Sequence, residues 1–523
     1  GHENTSGFWN TFVGTGAGYS NTTASFNSFF GTGAGYSNTT GEENTFIGMN
    51  TGYHNTTGNY NTFIGKGSGD ENTTGSYNAF LGTSSGLYNT TGTENTFLGV
   101  SAGINNTTGS QNVFIGRSAG RNNAANYNTF IGKDCGYWNT TGSENTFTGR
   151  SAGQENTIGL KNSFYGDQAG YNNTSGNSNT FIGEDAGLSN NTGSNNTFVG
   201  QGSGSGNTTG ERNTFVGRLT SNTGTTASDN SFFGYLAGQL NTTGGSNSFF
   251  GSYAGVSTSS GNVNAFFGDH SGYFNSTGTR NTFLGAYAGH QNTTGERNTY
   301  VGYSAGDITS VGWENVCVGF WAGRSIAGDN NICIGSTTGL SMTTGDGNIF
   351  IGDDTGGSNT TGNNNTYVGR WADGSATISN ATAIGYTANV TTSNSLVLGG
   401  TGANAVNVGI GVTAPQAELE VNGFTMLGSN APKIKMIKFT DTMPATQGSS
   451  VSFAHGLTSD KILAVDVLCE YGANAYVHEG YTVNPGYEFN FYYTGTTLYI
   501  VAISGNSSNI LNDPVKVLIT YEE

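Results

Sequence analysis

Residues 44–65 read Asn44-Thr45-Phe46-Ile47-Gly48-Met49-Asn50-Thr51-Gly52-Tyr53-His54-Asn55-Thr56-Thr57-Gly58-Asn59-Tyr60-Asn61-Thr62-Phe63-Ile64-Gly65. The pentad N-T-F-I-G returns after 17 residues, and its closing glycine keeps that register along most of the chain. It falls at Gly14, Gly31, Gly48 and onward to Gly369 and Gly385, which makes 23 repeats, three of the steps being shorter by a single position. Asn stands four places before this glycine in 22 of the 23 repeats, from Asn10 to Asn365. Phe stands two places before it in most repeats and gives way late in the chain to Tyr300, Cys317, Cys333, Tyr367 and Ala383. The place next to the glycine is usually aliphatic or aromatic, as in Ile47, Leu98, Val199 and Phe250. The third residue after it is always small, a second glycine usually follows, and an N-T-T-G stretch completes the unit.

These features exclude helix, because two or three glycines per repeat each cost about 1 kcal/mol relative to Ala. A short β-rich pentad bounded by glycine reads as one strand per repeat. N-T-T-G reads as a turn or a second short strand, with Asn and Thr bonding locally to the backbone. One such strand buries little alone, whereas stacked turns bury a continuous core. The expected fold is all-β, a repetitive β-solenoid (β-roll) of about 17 residues per turn. At about 4.8 Å per turn the stack is roughly 110 Å long. Equivalent residues then lie above one another. Asn10, Asn44, Asn95, Asn196 and Asn298 belong to an asparagine ladder, and Phe12, Phe46, Phe97, Phe198 and Phe283 to an aromatic one; such ladders stabilise β stacks. Alternate side chains of a strand face opposite ways, so Phe and the neighbouring Ile, Val or Leu make both faces apolar. One face lines the coil, and the other needs a partner, most simply through a symmetric oligomer.

Composition narrows the class. The chain has 523 residues, 87 of them Gly, with 10% charged and 34% hydrophobic residues. Such values resemble those of a disordered chain, but 12% aromatics recurring at fixed intervals argue for order. With 5 Pro, collagen is excluded. No apolar run is long enough for a membrane-spanning helix, and the absence of an initiator Met or signal peptide suggests a processed or truncated start. A net charge of -17 is unsuited to nucleic acid. Four Cys make no disulfide scaffold; Cys317 and Cys333 share one register in adjacent turns, where two buried thiols are expected rather than a bridge.

Near the end of the repeats the register tightens, and the strand-closing glycine after Gly385 is already Gly399. The segments Asn380-Ala381-Thr382-Ala383-Ile384-Gly385 and Asn394-Ser395-Leu396-Val397-Leu398-Gly399 resemble the head repeats of trimeric autotransporter adhesins. Asn407-Val408-Gly409-Ile410-Gly411 and Leu419-Glu420-Val421-Asn422-Gly423 are similar to the neck of phage tail fibres and related bacterial surface fibres. The resemblance implies a homotrimeric, left-handed β-roll shaft. The expected organisation is a shaft over 1–398, a neck over 399–430 and a C-terminal domain over 431–523.

In that last domain, strand-like runs cover Lys433–Thr440, Ser450–Ala454, Ile462–Tyr471, Tyr487–Tyr493, Thr497–Ser504 and Val515–Tyr521. They suggest a small β-sandwich or jelly roll, forming a trimeric tip if the shaft is trimeric. Loops carry recognition, and the expected loop Gly472–Gly486 with the strand after it offers Tyr476, His478, Tyr481, Tyr487 and Tyr492 as candidate ligand-binding residues. Aromatic rings with polar edges suit a glycan or protein receptor.

No nucleophile elbow, phosphate loop, zinc-spaced Cys/His cluster or calcium loop is present, so no catalytic residue, cofactor or metal is expected. Pairs such as Glu184-Asp185 and Asp353-Asp354 read as solvated turns. The expected function is an extracellular structural and adhesive fibre on a cell or virion surface, as a tail fibre or an adhesin. Two other readings compete with it: Asn/Thr rows of the shaft that bind ice or polysaccharide, and a polysaccharide depolymerase.

Overall fold

The computed structural model describes residues 1–426, 429, 431–472, 475–479 and 485–522. It divides into two compact units, Gly1–Asn404 and Ala405–Glu523.

The first unit is a β-solenoid. Three-residue strands, beginning with Thr11–Val13, Ser28–Phe30 and Thr45–Ile47 and ending with Leu396–Leu398, pair in parallel, each with its equivalent one turn on, into a 24-stranded sheet. The register is Phe on Phe: Phe12↔Phe29, Phe29↔Phe46, Phe181↔Phe198. The rings point into the coil and stack without a break from Phe12 to Tyr300, with neighbouring centroids 4.6–5.1 Å apart. From Phe29 onward they are almost wholly buried, together with the small residues at Ala34, Ala102 and Ala152. Burying each Phe contributes about 1.5–3 kcal/mol.

Glycine closes each strand for a steric reason. Gly149 has φ +141°, and a Cβ there would fall onto the carbonyl oxygen of Gly166 in the next turn. Gly153, at φ +56°, lies against the Phe147 ring where a Cβ would overlap it. Hence the pattern keeps glycine in both places.

Two buried polar ladders run through the coil. In the first, each pentad Asn accepts the backbone N–H of its equivalent one turn later, as Asn44 N–H to Asn27 Oδ1 at 2.9 Å and Asn162 N–H to Asn145 Oδ1 at 2.9 Å. Its amide donates to a glycine carbonyl, as Asn44 Nδ2 to Gly58 O at 2.8 Å. This ladder continues to Ala381, whose N–H donates to Asn365 Oδ1. The second ladder is built from N-T-T-G: Asn55 Nδ2 donates to Asn38 Oδ1 at 2.7 Å and to Gly58 O at 3.0 Å. It runs unbroken from Asn4 to Asn207. Where the following turn offers no amide, as at Asn207 and Asn292, the last Oδ1 has no partner. From sequence, N-T-T-G is expected as a turn or a second short strand; it forms a bend, and its Asn is buried in the core.

The late departures from the pattern compensate one another. Cys317 and Cys333 stand where Phe is expected, and the fully buried Ile326 and Met342 stand where the second-ladder Asn is expected. A small residue in one place is matched by a larger apolar one beside it, which keeps the core filled. All four cysteines are buried and free.

The second unit begins with a parallel pair, Val408–Ile410 with Leu419–Val421. Two antiparallel sheets follow. One orders Thr425–Met426, Lys433–Thr442, Pro514–Glu522, Ile462–Gly472 and Ala475–His478; the other orders Ser450–Ala454, Thr497–Ala502 and Phe489–Thr494. Val467, Val515, Val517 and Ile519 from the first sheet and Phe453, Phe489, Leu498 and Ile500 from the second share one buried cluster. Among the described residues only two short 3-10 turns, Gly402–Asn404 and Ser459–Lys461, are helical, and no helix is long and apolar enough to cross a membrane.

Candidate functional site

The strand face of the solenoid is its most regular surface. In Thr96-Phe97-Leu98 the middle ring is buried while Thr96 and Leu98 are exposed. Repetition of this pattern lays an apolar row along the stack, interrupted at Thr148, with Val13, Phe30, Ile47, Leu81, Leu98, Ile182, Leu284, Ile351 and Leu398 all exposed. A Thr or Ser row runs beside it over most turns. At about 4.8 Å per turn the row is roughly 110 Å long, whereas soluble monomers rarely expose contiguous apolar patches larger than a few hundred Å².

A flank of the solenoid carries an aromatic cluster. His270 stacks between Tyr253 and Tyr287 at 4.7 and 5.1 Å, and Tyr303, Phe320 and Trp321 continue the surface. Arg324 lies over the Trp321 ring at 5.0 Å and approaches Asp307 at 3.6 Å. Rings beside a carboxylate and a guanidinium can stack on and hydrogen-bond a sugar.

The four candidate residues of the second unit that are described lie on different elements. Tyr476 and His478 lie on the strand Ala475–His478, not on the loop expected there, and both are exposed while Val477 between them is buried. Lys516 Nζ donates to the Tyr476 hydroxyl at 2.7 Å, which holds the Lys516 ammonium above its ordinary value. His478 Nδ1 lies 3.4 Å from Asp466. Tyr487 is half-buried against the core and meets Tyr471 edge-on at 4.8 Å. Tyr492 is on the other sheet, exposed and stacked on Tyr499 at 5.1 Å. Tyr481 lies outside the described residues. Alternation along a strand explains the division: Phe489 is buried in the core, whereas Tyr492 points away from it.

His455 stands in no sequence motif, yet it is buried. Its Nδ1 accepts the Leu457 N–H at 3.2 Å, its Nε2 is buried without a partner among the described residues, and burial holds it below its ordinary value.

Parallel three-residue strands in strict register, closed by glycine and tied by buried amide ladders, define the class: a β-solenoid repeat protein. No protein-family model, no curated protein and no solved structure matches the chain.

Proposed function

We propose that the chain is an extracellular structural and adhesive fibre. In this reading the solenoid is a stiff shaft assembled as a homotrimer. The C-terminal unit is a β-sandwich or jelly-roll tip that binds a glycan or protein receptor. A tail fibre of a virion and an adhesin of a cell surface both fit. The observation that carries the reading is the apolar row from Val13 to Leu398. A row of that length in water favours association, and a closed symmetric assembly buries the same row from every copy. Three tips held together would raise avidity for a weak receptor.

The alternative, that the N-T-T rows bind ice or polysaccharide, has a weaker base. The first Thr of most stretches already donates to the next turn, as Thr39 Oγ1 to Thr56 O and Thr56 Oγ1 to Thr73 O, both at 3.0 Å. Exposed Tyr60 and Tyr77 nearby interrupt a flat array.

Light scattering on the full chain tests the proposal. The expected mass is about three times the 54.1 kDa of one chain. Replacing Leu81, Leu98 and Ile131 in the exposed row by Lys should lower it. A wild-type mass of one chain at micromolar concentration would refute the assembly.

A further inference from the structure

One surface cluster brings three metal-binding side chains to a single point. His54 and Glu71 occupy the same place in successive turns, the sixth after Gly48 and Gly65, and Asp70 precedes Glu71. His54 Nδ1 is 3.5 Å from Asp70 Oδ1 and 3.5 Å from Glu71 Oε2. The three donor atoms all lie within 4.8 Å of one another, and among the described residues no other His, Cys, Asp and Glu group converges in this way.

Two features set the cluster apart from a surface ion pair. First, 3.5 Å is too long for a good hydrogen bond, and His54 Nδ1 and Asp70 Oδ1 are both shielded from solvent without a hydrogen-bond partner among the described residues. Buried polar atoms are normally satisfied, so two facing each other unpaired leave room for a third species. Second, the separation suits a tetrahedral ion. Ligands at about 2.0–2.2 Å from zinc are about 3.3–3.6 Å from one another. The ligands are also held in place: the His54 ring packs edge-on against Tyr53 at 4.8 Å, and the His54 N–H donates to the Asp70 carbonyl at 2.8 Å.

We propose that His54 Nδ1, Asp70 Oδ1 and Glu71 Oε2 bind one divalent transition cation of the zinc type, leaving a coordination position open to water or an outside ligand. The imidazole nitrogen selects against calcium and magnesium, which take oxygen ligands. Such an ion clips two adjacent turns of the solenoid. The inference is independent of the fibre reading. From sequence no metal is expected, because the ligands are one full turn apart and match no local motif.

The test is calorimetric titration of the metal-free full chain with zinc chloride at neutral pH, with cobalt(II) absorption as a second readout. Expected are saturable uptake of one zinc per chain and a tetrahedral cobalt spectrum. His54→Asn and Glu71→Gln should each weaken uptake at least about tenfold and remove the spectrum. Asn is the residue that other turns carry in this place, at Asn105, Asn122 and Asn172, so His54→Asn suits the fold, and circular dichroism checks that it does. Glu71 is exposed enough for its variant to test the site if His54→Asn misfolds. Absence of saturable binding, tighter binding of calcium than zinc, or uptake unchanged in both variants would overturn the proposal. His54 would then simply lie beside two carboxylates without holding an ion.

Discussion

Asn145→Ala removes one rung from the middle of the first ladder, and its cost can be worked from the bonds it breaks. Asn145 Oδ1 accepts the N–H of the buried Asn162 at 2.9 Å, and Asn145 Nδ2 donates to Gly159 O at 2.8 Å. Gly159 O keeps a second donor, Asn156 Nδ2 at 3.1 Å, so losing that bond costs about 1 kcal/mol. The Asn162 N–H keeps no such substitute, and a buried donor left unpaired costs about 1–3 kcal/mol. The sum is about 2–4 kcal/mol. In a stack of turns that contact only their neighbours, this cost is local, and it lowers the free energy of opening at that turn. At about 1.36 kcal/mol per tenfold change, amide exchange of Asn162 should accelerate by about 30- to 900-fold. Hydrogen-exchange mass spectrometry at peptide resolution measures it, with the turn containing Asn298 as an internal reference. A change at Asn162 of less than about threefold would refute the ladder argument, and so would equal acceleration at Asn298.

Three further outcomes follow from the packing and the buried titratable groups. Cys317→Phe should overpack the core by about 1–3 kcal/mol, while the double variant with Ile326→Asn restores the pairing of the regular turns and should recover most of it in a denaturation double-mutant cycle. Val263 is β-branched, exposed and held at φ +58°, where Asn195 and Asn364 sit at φ +60° and +56° in other turns; Val263→Asn should stabilise by about 1 kcal/mol in the same assay. His455 is held by burial below its ordinary value of 6.5, so the unfolded chain takes up the proton first as pH falls. Stability from this group is therefore present above about pH 6.5 and lost below it, and thermal melts of His455→Phe should show a shallower decline between pH 7 and pH 5.

The solenoid was legible because its constraints are periodic. Gly149 and Phe147 each answer to the equivalent residue one turn away, so the same requirement recurs in every repeat and outweighs local propensity. The expected strands of the C-terminal unit largely coincide with those observed, as at Ser450–Ala454 and Ile462–Gly472. What escaped the reading was set by contacts without a local signature. Asn55 reads as bonding locally, because Asn-Thr-Thr-Gly suits a turn or a short strand, yet its amide reaches Asn38 one turn back. The matching of Ile326 to Cys317 carries no local signature, since each is only a departure from its own repeat position. Tyr476 and His478 read as loop because Gly472 and Gly486 flank them, whereas pairing with Glu470 and Leu468 makes them a strand. His54 and Glu71 are neighbours only because the coil brings each turn back over the one before it.

The fibre reading rests on the strand face being covered by other copies of the chain, and cysteine cross-linking tests this most directly. All four native cysteines are buried, so an introduced surface thiol reports alone. Leu98→Cys, in the exposed apolar row, should form disulfide-linked chain pairs under mild oxidation, with one chain in three left unpaired. Thr91→Cys, exposed in the N-T-T-G stretch away from the strand, should not. Cross-linking at Thr91→Cys with none at Leu98→Cys would contradict the account.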